Sequence, residues 1–199
     1  MLYVSGNLMT EFQFWDWFTN HSKQLEHFMT SNLSDYSVYN ELSAKLKTYH
    51  NNVIPELTMD KANNFILILS ADGISNGIIP IEKLFASAPL LNGWIIQKFR
   101  KPGAVSNLNF RGLGIPAKDV KIKYSLNANE VDIELYIKGY KENDSRYKSL
   151  GFLYLDHFIG EYSVMTKVGN IQFRKLGLFL KPPNLASLEE FAEILNALK

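Results

Sequence analysis

The chain has 199 residues, of which 46% are hydrophobic and 21% are charged, and its formal net charge is +1. This composition is that of an ordinary globular protein, and it excludes a disordered chain or one made mainly of membrane helices. The sequence contains no cysteine, which excludes disulfides, cysteine-ligated zinc, iron–sulfur clusters and thiol nucleophiles.

The sequence predicts a cytoplasmic protein whose partners are neither membranes nor nucleic acids. The opening stretch "MLYVSGNLMTEF" has no cationic segment followed by an apolar core, so no secretory signal is predicted. The longest apolar run, "FILIL", is far shorter than the roughly 20 residues of a membrane-spanning helix. The net charge is close to zero and provides no overall field that would attract nucleic acid.

Residues 1–50 are predicted to form a helical hairpin. Thr10 and Gln13 have the spacing of a capping box, which places the start of the first helix at Thr10. Apolar side chains then recur at helical spacing as far as Met29. A second amphipathic helix is predicted over Asp35–Tyr49, and a short connection favours antiparallel packing of the two helices.

The stretch "TEFQFWDWF" at the start of the first helix contains five aromatic residues between positions 12 and 18. Phe14, Trp17 and Phe18 lie on the apolar side of the helix and are predicted to be core residues. Phe12 and Trp15 lie on or beside the polar side, so two interpretations stay open. Either the C-terminal helix or the first residues of the chain cover them, or they form an exposed aromatic patch that binds a partner.

Residues 51–100 and 118–174 are each predicted to form a β-β-α-β unit, and residues 101–117 a linker loop between them. The first unit has two strands, a helix and a third strand, over Val53–Met59, Phe65–Ser70, Ile79–Ala88 and Gly93–Arg100. The second unit repeats this order over Val120–Leu126, Val131–Ile137, Tyr147–Ile159 and Tyr162–Val168, and the last strand is left open to continue to Phe173. The repeated order is consistent with a duplication. Asn and Gly residues shared by the two units are weak evidence for it, because hairpin turns favour these residues in any protein.

The second strands of the two units differ in pattern. "FILIL" is apolar on both faces and is predicted to be covered on both sides. "VDIELYI" alternates, so Asp132 and Glu134 are predicted to lie on a face that is open to water. The last segment, 175–199, is predicted to end in a helix, because Ser187 and Glu190 have capping-box spacing.

The predicted fold is therefore α+β. It is a single domain, 1–199, with a mainly antiparallel sheet of about six strands built from two ferredoxin-like β-β-α-β halves. The N-terminal helical hairpin and the C-terminal helix are additions to this sheet. A linker between the halves predicts a cleft, and Trp94, Arg100 and Arg111 are the candidate ligand-binding residues near its mouth.

Catalysis has weak support in the sequence, and its candidates are Asp156, His157 and Glu161. His157 and Glu161 are four residues apart, a spacing that could serve a metal site or an acid–base pair. Neighbouring Asp and His side chains point about 100° apart on a helix, and Gly160 is predicted to end the helix before Glu161. Structural hydrogen bonding is favoured for these residues, and neither a metal nor a cofactor is predicted.

Four stretches together resemble a known family: "FWDWF", "ILSADG", "APLLNGW" and "LDHFIGEY". They are similar to a bacterial family of cytoplasmic proteins that is defined as an uncharacterised domain of unknown function. The resemblance covers most of the chain, although each motif is short. It implies a bacterial α+β domain, and it brings no activity, ligand or catalytic residue.

Three classes of function follow from these observations. The first is a non-enzymatic interaction module, such as an adaptor, a regulator or an immunity-type protein, with Phe12 and Trp15 or an exposed sheet face as its binding surface. The second is a binder of a small ligand or peptide in the predicted cleft. The third is a metal-assisted or acid–base enzyme centred on Asp156. The first is favoured because aromatic surface candidates are present and no convergent set of catalytic groups is.

Overall fold

The protein is an α+β structure of two compact units, Met1–Phe99 and Arg100–Lys199. This computed structural model describes residues 8–31, 35–103, 105–127, 130–177 and 183–197. Within these residues it has six α-helices and three sheets, which confirms the predicted fold class. The strands form two separate three-stranded sheets and a hairpin, so the expectation of one sheet of about six strands is wrong.

The first unit contains three helices and three strands. They are α1 (Glu11–Thr30), α2 (Ser37–Tyr49), β1 (Ile54–Met59), β2 (Phe65–Ser70), α3 (Ile78–Ala86) and β3 (Trp94–Lys98). The sheet has the order β1-β2-β3, with β1 antiparallel and β3 parallel to the central strand β2. All six elements lie close to their predicted positions.

Local chemistry explains where these elements begin and turn. Thr10 caps α1, since its hydroxyl accepts the Gln13 N–H and the Gln13 side chain accepts the Thr10 N–H, as the capping box predicts. The β1–β2 turn is held by Asp60, whose carboxylate accepts the N–H groups of Ala62 and Asn64. Asn63 in this turn has φ +62°, a conformation that Asn adopts more readily than most residues.

The core of the first unit forms where α1 packs on the sheet. Phe14 and Phe18 are fully buried, and the Phe18 ring meets the Trp94 ring edge-on with 5.0 Å between centroids. Trp94 shares a sheet face with Leu67 and Leu69, so α1 covers that face. Ile66 and Ile68, on the other face, are half-buried.

The second unit contains five strands and three helices. They are β4 (Asn107–Phe110), β5 (Leu113–Pro116), β6 (Val120–Asn127), β7 (Glu130–Lys138), α4 (Ser145–Ile159), α5 (Glu161–Lys167), β8 (Val168–Leu176) and α6 (Leu188–Ala197). β4 and β5 form an antiparallel hairpin, and the larger sheet has the order β6-β7-β8. In that sheet β6 is antiparallel and β8 parallel to β7, which matches the directions in the first unit.

The prediction of a linker loop over 101–117 is wrong for most of that segment. The β4–β5 hairpin lies there, and its apolar side chains pack against the core of the second unit. The Tyr154 hydroxyl accepts the Leu108 N–H at 3.0 Å and donates to the Ile115 carbonyl, which fixes both strands on α4. Arg111 and Gly112 both have positive φ, so the Gly that suggested a loop instead builds a two-residue hairpin turn.

The predicted strand that starts at Tyr162 is also wrong, because residues 161–167 form α5. Gly160 ends α4 with φ +89°, and the chain then starts a second helix at Glu161. The third strand of the larger sheet begins only at Val168.

The alternation of apolar and polar residues in "VDIELYI" describes β7 well, since Val131, Ile133, Leu135 and Ile137 are buried beneath the helices of the second unit.

The C-terminal helix confirms its predicted cap. The Ser187 hydroxyl accepts the Glu190 N–H at 3.1 Å, and the Glu190 carboxylate accepts the Ser187 N–H at 2.6 Å. Phe191 and Leu195 are fully buried on α6. Leu198, the last residue expected on this apolar stripe, lies outside the described residues, as do the turn residues 128 and 129.

Candidate functional site

The start of α1 carries the most exposed aromatic side chain of the first helix. Phe12 is 79% exposed, and Leu8, which precedes the helix cap, is 75% exposed. Both positions lie at the helix start where the Thr10 hydroxyl accepts the Gln13 N–H and the Gln13 side chain accepts the Thr10 N–H. We call Leu8 and Phe12 the α1 surface.

The helix start that carries the α1 surface is joined to the rest of the first unit by a half-buried hydroxyl. The Tyr49 oxygen on α2 lies 3.0 Å from Glu11 Oε1 and 3.0 Å from the Pro80 carbonyl oxygen on α3. Burial and the hydrogen bond to Glu11 raise the pKa of Tyr49, so its hydroxyl keeps its proton. Three helices therefore meet at the residue that precedes Phe12, and Phe12 stands on a rigid base.

Trp15 is not part of an exposed patch, and its assignment as a partner-binding residue is corrected here. It is 4% exposed, and its Nε1–H donates to the Leu84 carbonyl on α3 at 2.8 Å. Its ring also meets Phe14 and Phe18 edge-on. The covering element is α3, whereas the sequence suggested the C-terminal helix or the first residues, because the wheel of α1 alone cannot show where α3 packs.

Asp156 and Glu161 form a buried polar cluster with Arg100. Asp156 is 5% exposed and Glu161 is 0% exposed. Arg100 Nη1 lies 2.7 Å from Asp156 Oδ2. The Arg100 N–H donates to Glu161 Oε2 at 2.9 Å, and the Glu161 N–H donates back to the Arg100 carbonyl at 3.0 Å.

This Arg100 cluster has the geometry of a structural clamp. Its bonds, together with that from the Gly103 N–H to the His157 carbonyl, hold the first residues of the second unit against the α4–α5 junction. His157 contributes its carbonyl oxygen to that set, and its side chain is half-buried. Within the described residues, no three His, Cys, Asp or Glu side chains are arranged to hold a metal ion. The geometry therefore favours structural bonding over catalysis.

The three predicted ligand-binding residues each have a local partner. Trp94 is buried in the first unit, and its Nε1–H donates to Glu26 at 3.1 Å. Arg100 pairs with Asp156 in the second unit, and Arg111 lies in the β4–β5 turn with its guanidinium 5.2 Å from the Phe110 ring centre. The cleft itself stays a prediction.

The larger sheet presents a polar face that the alternation of β7 predicted. Residues across the three strands form rows on this face: Lys121, Tyr136 and Arg174; Lys123, Glu134 and Gln172; Ser125, Asp132 and Asn170. The Tyr136 hydroxyl donates to Glu134, and this bond raises the pKa of Tyr136. A shallow groove of about 220 Å³ lies over the last two rows.

A larger groove, which the sequence analysis missed, runs between the outer edge of β6 and α6. It encloses about 680 Å³. Its lining mixes apolar side chains with charges of both signs, and it includes Lys123, Tyr124, Glu190, Glu193 and Ile194.

The comparisons with known proteins identify no functional site, so the site is described from its geometry alone. No protein family, curated protein or solved structure matches the chain. The resemblance noted in the sequence thus stays a prediction. Among the described residues, no helix is both long enough and apolar enough to cross a membrane.

Proposed function

We propose that this protein is a non-enzymatic interaction module that binds a partner protein through the α1 surface. The observation that carries the proposal is the exposure of Phe12 on a capped helix start that three helices fix in place. An exposed aromatic side chain has few rotatable bonds, so it buries a large area on binding and loses little conformational entropy, which is the usual property of an interface anchor.

The charged residues near Phe12 support an interface with a polar rim around this apolar side chain. Glu11 precedes it and Asp16 follows it one turn later, while Leu8 provides a second apolar contact. An apolar centre with acidic groups beside it fits a partner that offers an apolar pocket with basic residues at its margin. An adaptor, a regulator or an immunity-type inhibitor in the cytoplasm would use such a surface.

We also propose that the two units are ferredoxin-like halves related by duplication. Their support is the repeated β-β-α-β order and the matching strand directions in the two three-stranded sheets. In this proposal the α1–α2 hairpin is an addition to the first half, and it supplies the binding surface.

Site-specific photo-crosslinking tests the function directly. Phe12 is replaced by p-benzoylphenylalanine in cells, and the crosslinked protein is identified and then purified. A matched control carries the same residue at position 90, since Leu90 is a fully exposed apolar side chain of the same unit. The proposal expects one partner from position 12 and none shared with position 90.

Affinity measurements with the purified partner complete the test. We expect Phe12→Ala to weaken binding by about tenfold or more, since truncated aromatic anchors have effects of this size. Leu90→Ala should bind as the wild type does, and both variants should keep wild-type unfolding curves. Equal affinity of Phe12→Ala and the wild type would refute the α1 surface as the binding site.

A further inference from the structure

The sequence contains two Asn-Gly pairs, Asn76–Gly77 and Asn92–Gly93, and the structure places them in different surroundings. An asparagine side chain that precedes glycine can react with the main-chain nitrogen of that glycine, because glycine has no Cβ to hinder the approach. The reaction requires a glycine nitrogen that is open to water and not held in a hydrogen bond. Both asparagines are exposed, so the two glycines decide which pair can react.

Gly77 is buried, and its N–H is held in a hydrogen bond. This N–H donates to the Ile74 carbonyl at 2.8 Å, within the short 3-10 helix that leads into α3. A Cβ built on Gly77 would lie 2.4 Å from the Asn52 carbonyl oxygen, so the main chain is closely packed here. The Gly77 nitrogen can therefore attack the Asn76 side chain only after this part of the chain opens locally.

Gly93 lies in an exposed turn and has φ +78°. The Trp94 N–H closes the turn by donating to the Leu91 carbonyl at 3.2 Å, which leaves Gly93 at its third position. Among the described residues, the Gly93 N–H and the Asn92 side chain have no hydrogen-bond partner. Apart from its chain neighbours, no described heavy atom lies within 4 Å of a Cβ built on Gly93. The reacting groups of this pair are thus accessible in the folded protein.

The surroundings of Asn92 give the reaction a local consequence. Asn92 lines a groove of about 490 Å³ whose other lining side chains include Phe85, Leu91, Trp94 and Ile96. None of the residues that line this groove is charged. The whole stretch "FASAPLLNGWII", residues 85–96, also lacks a charged residue. A carboxylate at position 92 would therefore introduce a charge into an uncharged, mainly apolar groove.

We propose that Asn92 is a modification site, at which water converts the asparagine of the folded protein to aspartate and isoaspartate. The Gly93 nitrogen loses its proton to hydroxide and bonds to Asn92 Cγ. The bond from Cγ to Nδ2 breaks, Nδ2 takes up a proton and leaves as ammonia, and a cyclic succinimide remains. Water then adds to either ring carbonyl, and the Gly93 nitrogen regains a proton as its bond to that carbon breaks. Breaking the bond to Cγ gives aspartate, and breaking the other gives isoaspartate.

The two products differ in their effect on the turn. Aspartate adds a charge and keeps the length of the main chain. Isoaspartate directs the main chain through Cγ and lengthens it by one carbon, between the Leu91 carbonyl and the Trp94 N–H that close the turn. The Trp94 ring packs against Phe18 in the core of the first unit, so the isoaspartate form is expected to unfold at a lower urea concentration. This site goes beyond the α1 surface.

Peptide mapping by mass spectrometry tests the proposal on the full-length wild-type chain. The folded protein is incubated in oxygen-18 water at mildly alkaline pH, and the peptides that contain the two Asn-Gly pairs are followed over time. We expect Asn92 to be converted about tenfold faster than Asn76 or more, because local opening must precede the reaction at Gly77. Each product should carry one oxygen-18 atom from water. The rate at Asn92 should rise with pH, since the Gly93 nitrogen reacts after it loses its proton.

Unfolding separates the effect of the structure from that of the sequence. In guanidinium chloride both pairs are solvated and free of the bonds of the folded state, so the two rates should become nearly equal. Asn92→Gln is the matched control, because it keeps a neutral amide at position 92 on a side chain that is longer by one methylene. Its ring closure is slower, so position 92 should stay unconverted in this variant while the wild type reacts.

Three results would overturn the proposal: equal rates at Asn92 and Asn76 in the folded protein, the same ratio of rates in the folded and the unfolded chain, or no conversion of folded Asn92 over a period in which the unfolded chain reacts. Phe12→Ala should leave the rate at Asn92 unchanged. Failure here is therefore distinguishable from failure of the α1 surface, which is tested by partner binding.

Discussion

The two units have one strand topology and hold it with different chemistry. In each, a central strand pairs with an antiparallel neighbour and a parallel neighbour. The first unit covers its sheet with aromatic residues of α1, and its central strand is apolar on both faces. The second covers its sheet with α4 and α6, keeps a polar face opposite, and buries two carboxylates near Arg100.

This difference teaches that the strand order does not determine what covers a sheet. The side-chain pattern of the central strand determines what covers the sheet, because each apolar face must be removed from water and each polar face must stay hydrated or paired. β2 and β7 illustrate the two outcomes. Substitutions at corresponding positions in the two units can therefore show how far the two units are alike beyond their strand order.

The largest effect is expected from the aromatic core of the first unit. Trp15→Ala removes a buried ring and leaves the Leu84 carbonyl without its donor, so we expect it to lower the free energy of unfolding by about 4 kcal/mol. Phe12→Ala, three positions away, should change it by less than about 0.5 kcal/mol. Urea unfolding curves measure both. A similar loss in the two variants would mean that Phe12 is also a packing residue.

The ion pairs of the two units come next. Asp156→Ala removes the carboxylate that lies 2.7 Å from Arg100 Nη1 at a largely buried site, and we expect a loss of about 3 kcal/mol. Its counterpart in the first unit is the half-exposed pair of Lys98 and Glu82, where Glu82→Ala should cost less than about 1 kcal/mol. Chemical unfolding at pH 7 provides both values.

A double replacement sharpens the same comparison. Arg100→Met with Asp156→Leu removes both charges together and should recover most of the stability lost in Asp156→Ala. Recovery would show that the cost in Asp156→Ala comes from keeping the Arg100 charge in this site without the Asp156 carboxylate. If the double variant is as unstable as Asp156→Ala, the main-chain bonds between Arg100 and Glu161 depend on the ion pair.

Two closely packed glycines allow a smaller, matched test. A Cβ at Gly77 would lie 2.4 Å from the Asn52 carbonyl oxygen, which is main chain and cannot turn aside. A Cβ at Gly151 would lie 2.5 Å from the Phe173 ring and 2.6 Å from a Leu135 methyl, which are side-chain ends that can rotate. We expect losses of about 3 kcal/mol for Gly77→Ala and about 1 kcal/mol for Gly151→Ala, where the better helix propensity of alanine offsets part of the clash. Calorimetric unfolding measures both losses of stability. A larger loss for Gly151→Ala than for Gly77→Ala would mean that α4 is the more rigidly packed helix.

The capping boxes should give the smallest difference. Thr10→Ala and Ser187→Ala each remove one hydroxyl acceptor, and each should cost about 1 kcal/mol. Thermal unfolding of the two variants, with Ser22→Ala on the exposed side of α1 as a control, compares them. A much larger loss for Thr10 than for Ser187 would indicate that the α1 start also supports the Tyr49 junction.

Glu190 adds a pH signature to the second cap. Hydrogen bonds from the Ser187 N–H and the Ser187 side chain lower the pKa of Glu190. A lowered pKa in the folded state means that the stabilisation is present above the ordinary glutamate pKa and is lost as the pH falls through the folded value. Ser187→Ala keeps the main-chain N–H, the larger cause, and loses the hydroxyl, so carbon-13 NMR titration should find the Glu190 pKa only partly restored toward its ordinary range. Full restoration would contradict the larger role of the main-chain N–H.

The sequence predicted most elements because their signals are local. The capping boxes at Thr10 and Ser187, the alternation in β7 and the apolar run of β2 each depend on neighbouring residues alone. The predicted strand from Tyr162 was an error of local structure, since residues 161–167 form α5. Two other errors concern contacts between distant segments. The burial of Trp15 depends on α3, and the order in 105–117 depends on the Tyr154 hydroxyl, 39 positions beyond Ile115.

The candidate site follows the same rule: its local features were predictable, and the features that depend on distant contacts were not. The polar spacing around Phe12 left two interpretations open, a covered ring or an exposed one, and in the structure the Phe12 ring is exposed. The pairing of Arg100 with Asp156 joins residues 56 positions apart, and no periodicity could indicate it. The bridge between Ile122 and Ala186 is formed by main-chain groups, and no periodicity of the sequence indicates it.

The boundary between Phe99 and Arg100 has a consequence for dissecting the protein. The Phe99 N–H bonds to the Leu69 carbonyl within the first unit, and the Arg100 N–H bonds to Glu161 within the second. Proteases need a stretch of chain that can leave its bonds and extend, so limited proteolysis should spare this peptide bond. A fragment that starts at Arg100 would place its new ammonium group beside the Glu161 carboxylate. Recombinant halves are therefore better cut by design at this residue than sought by digestion.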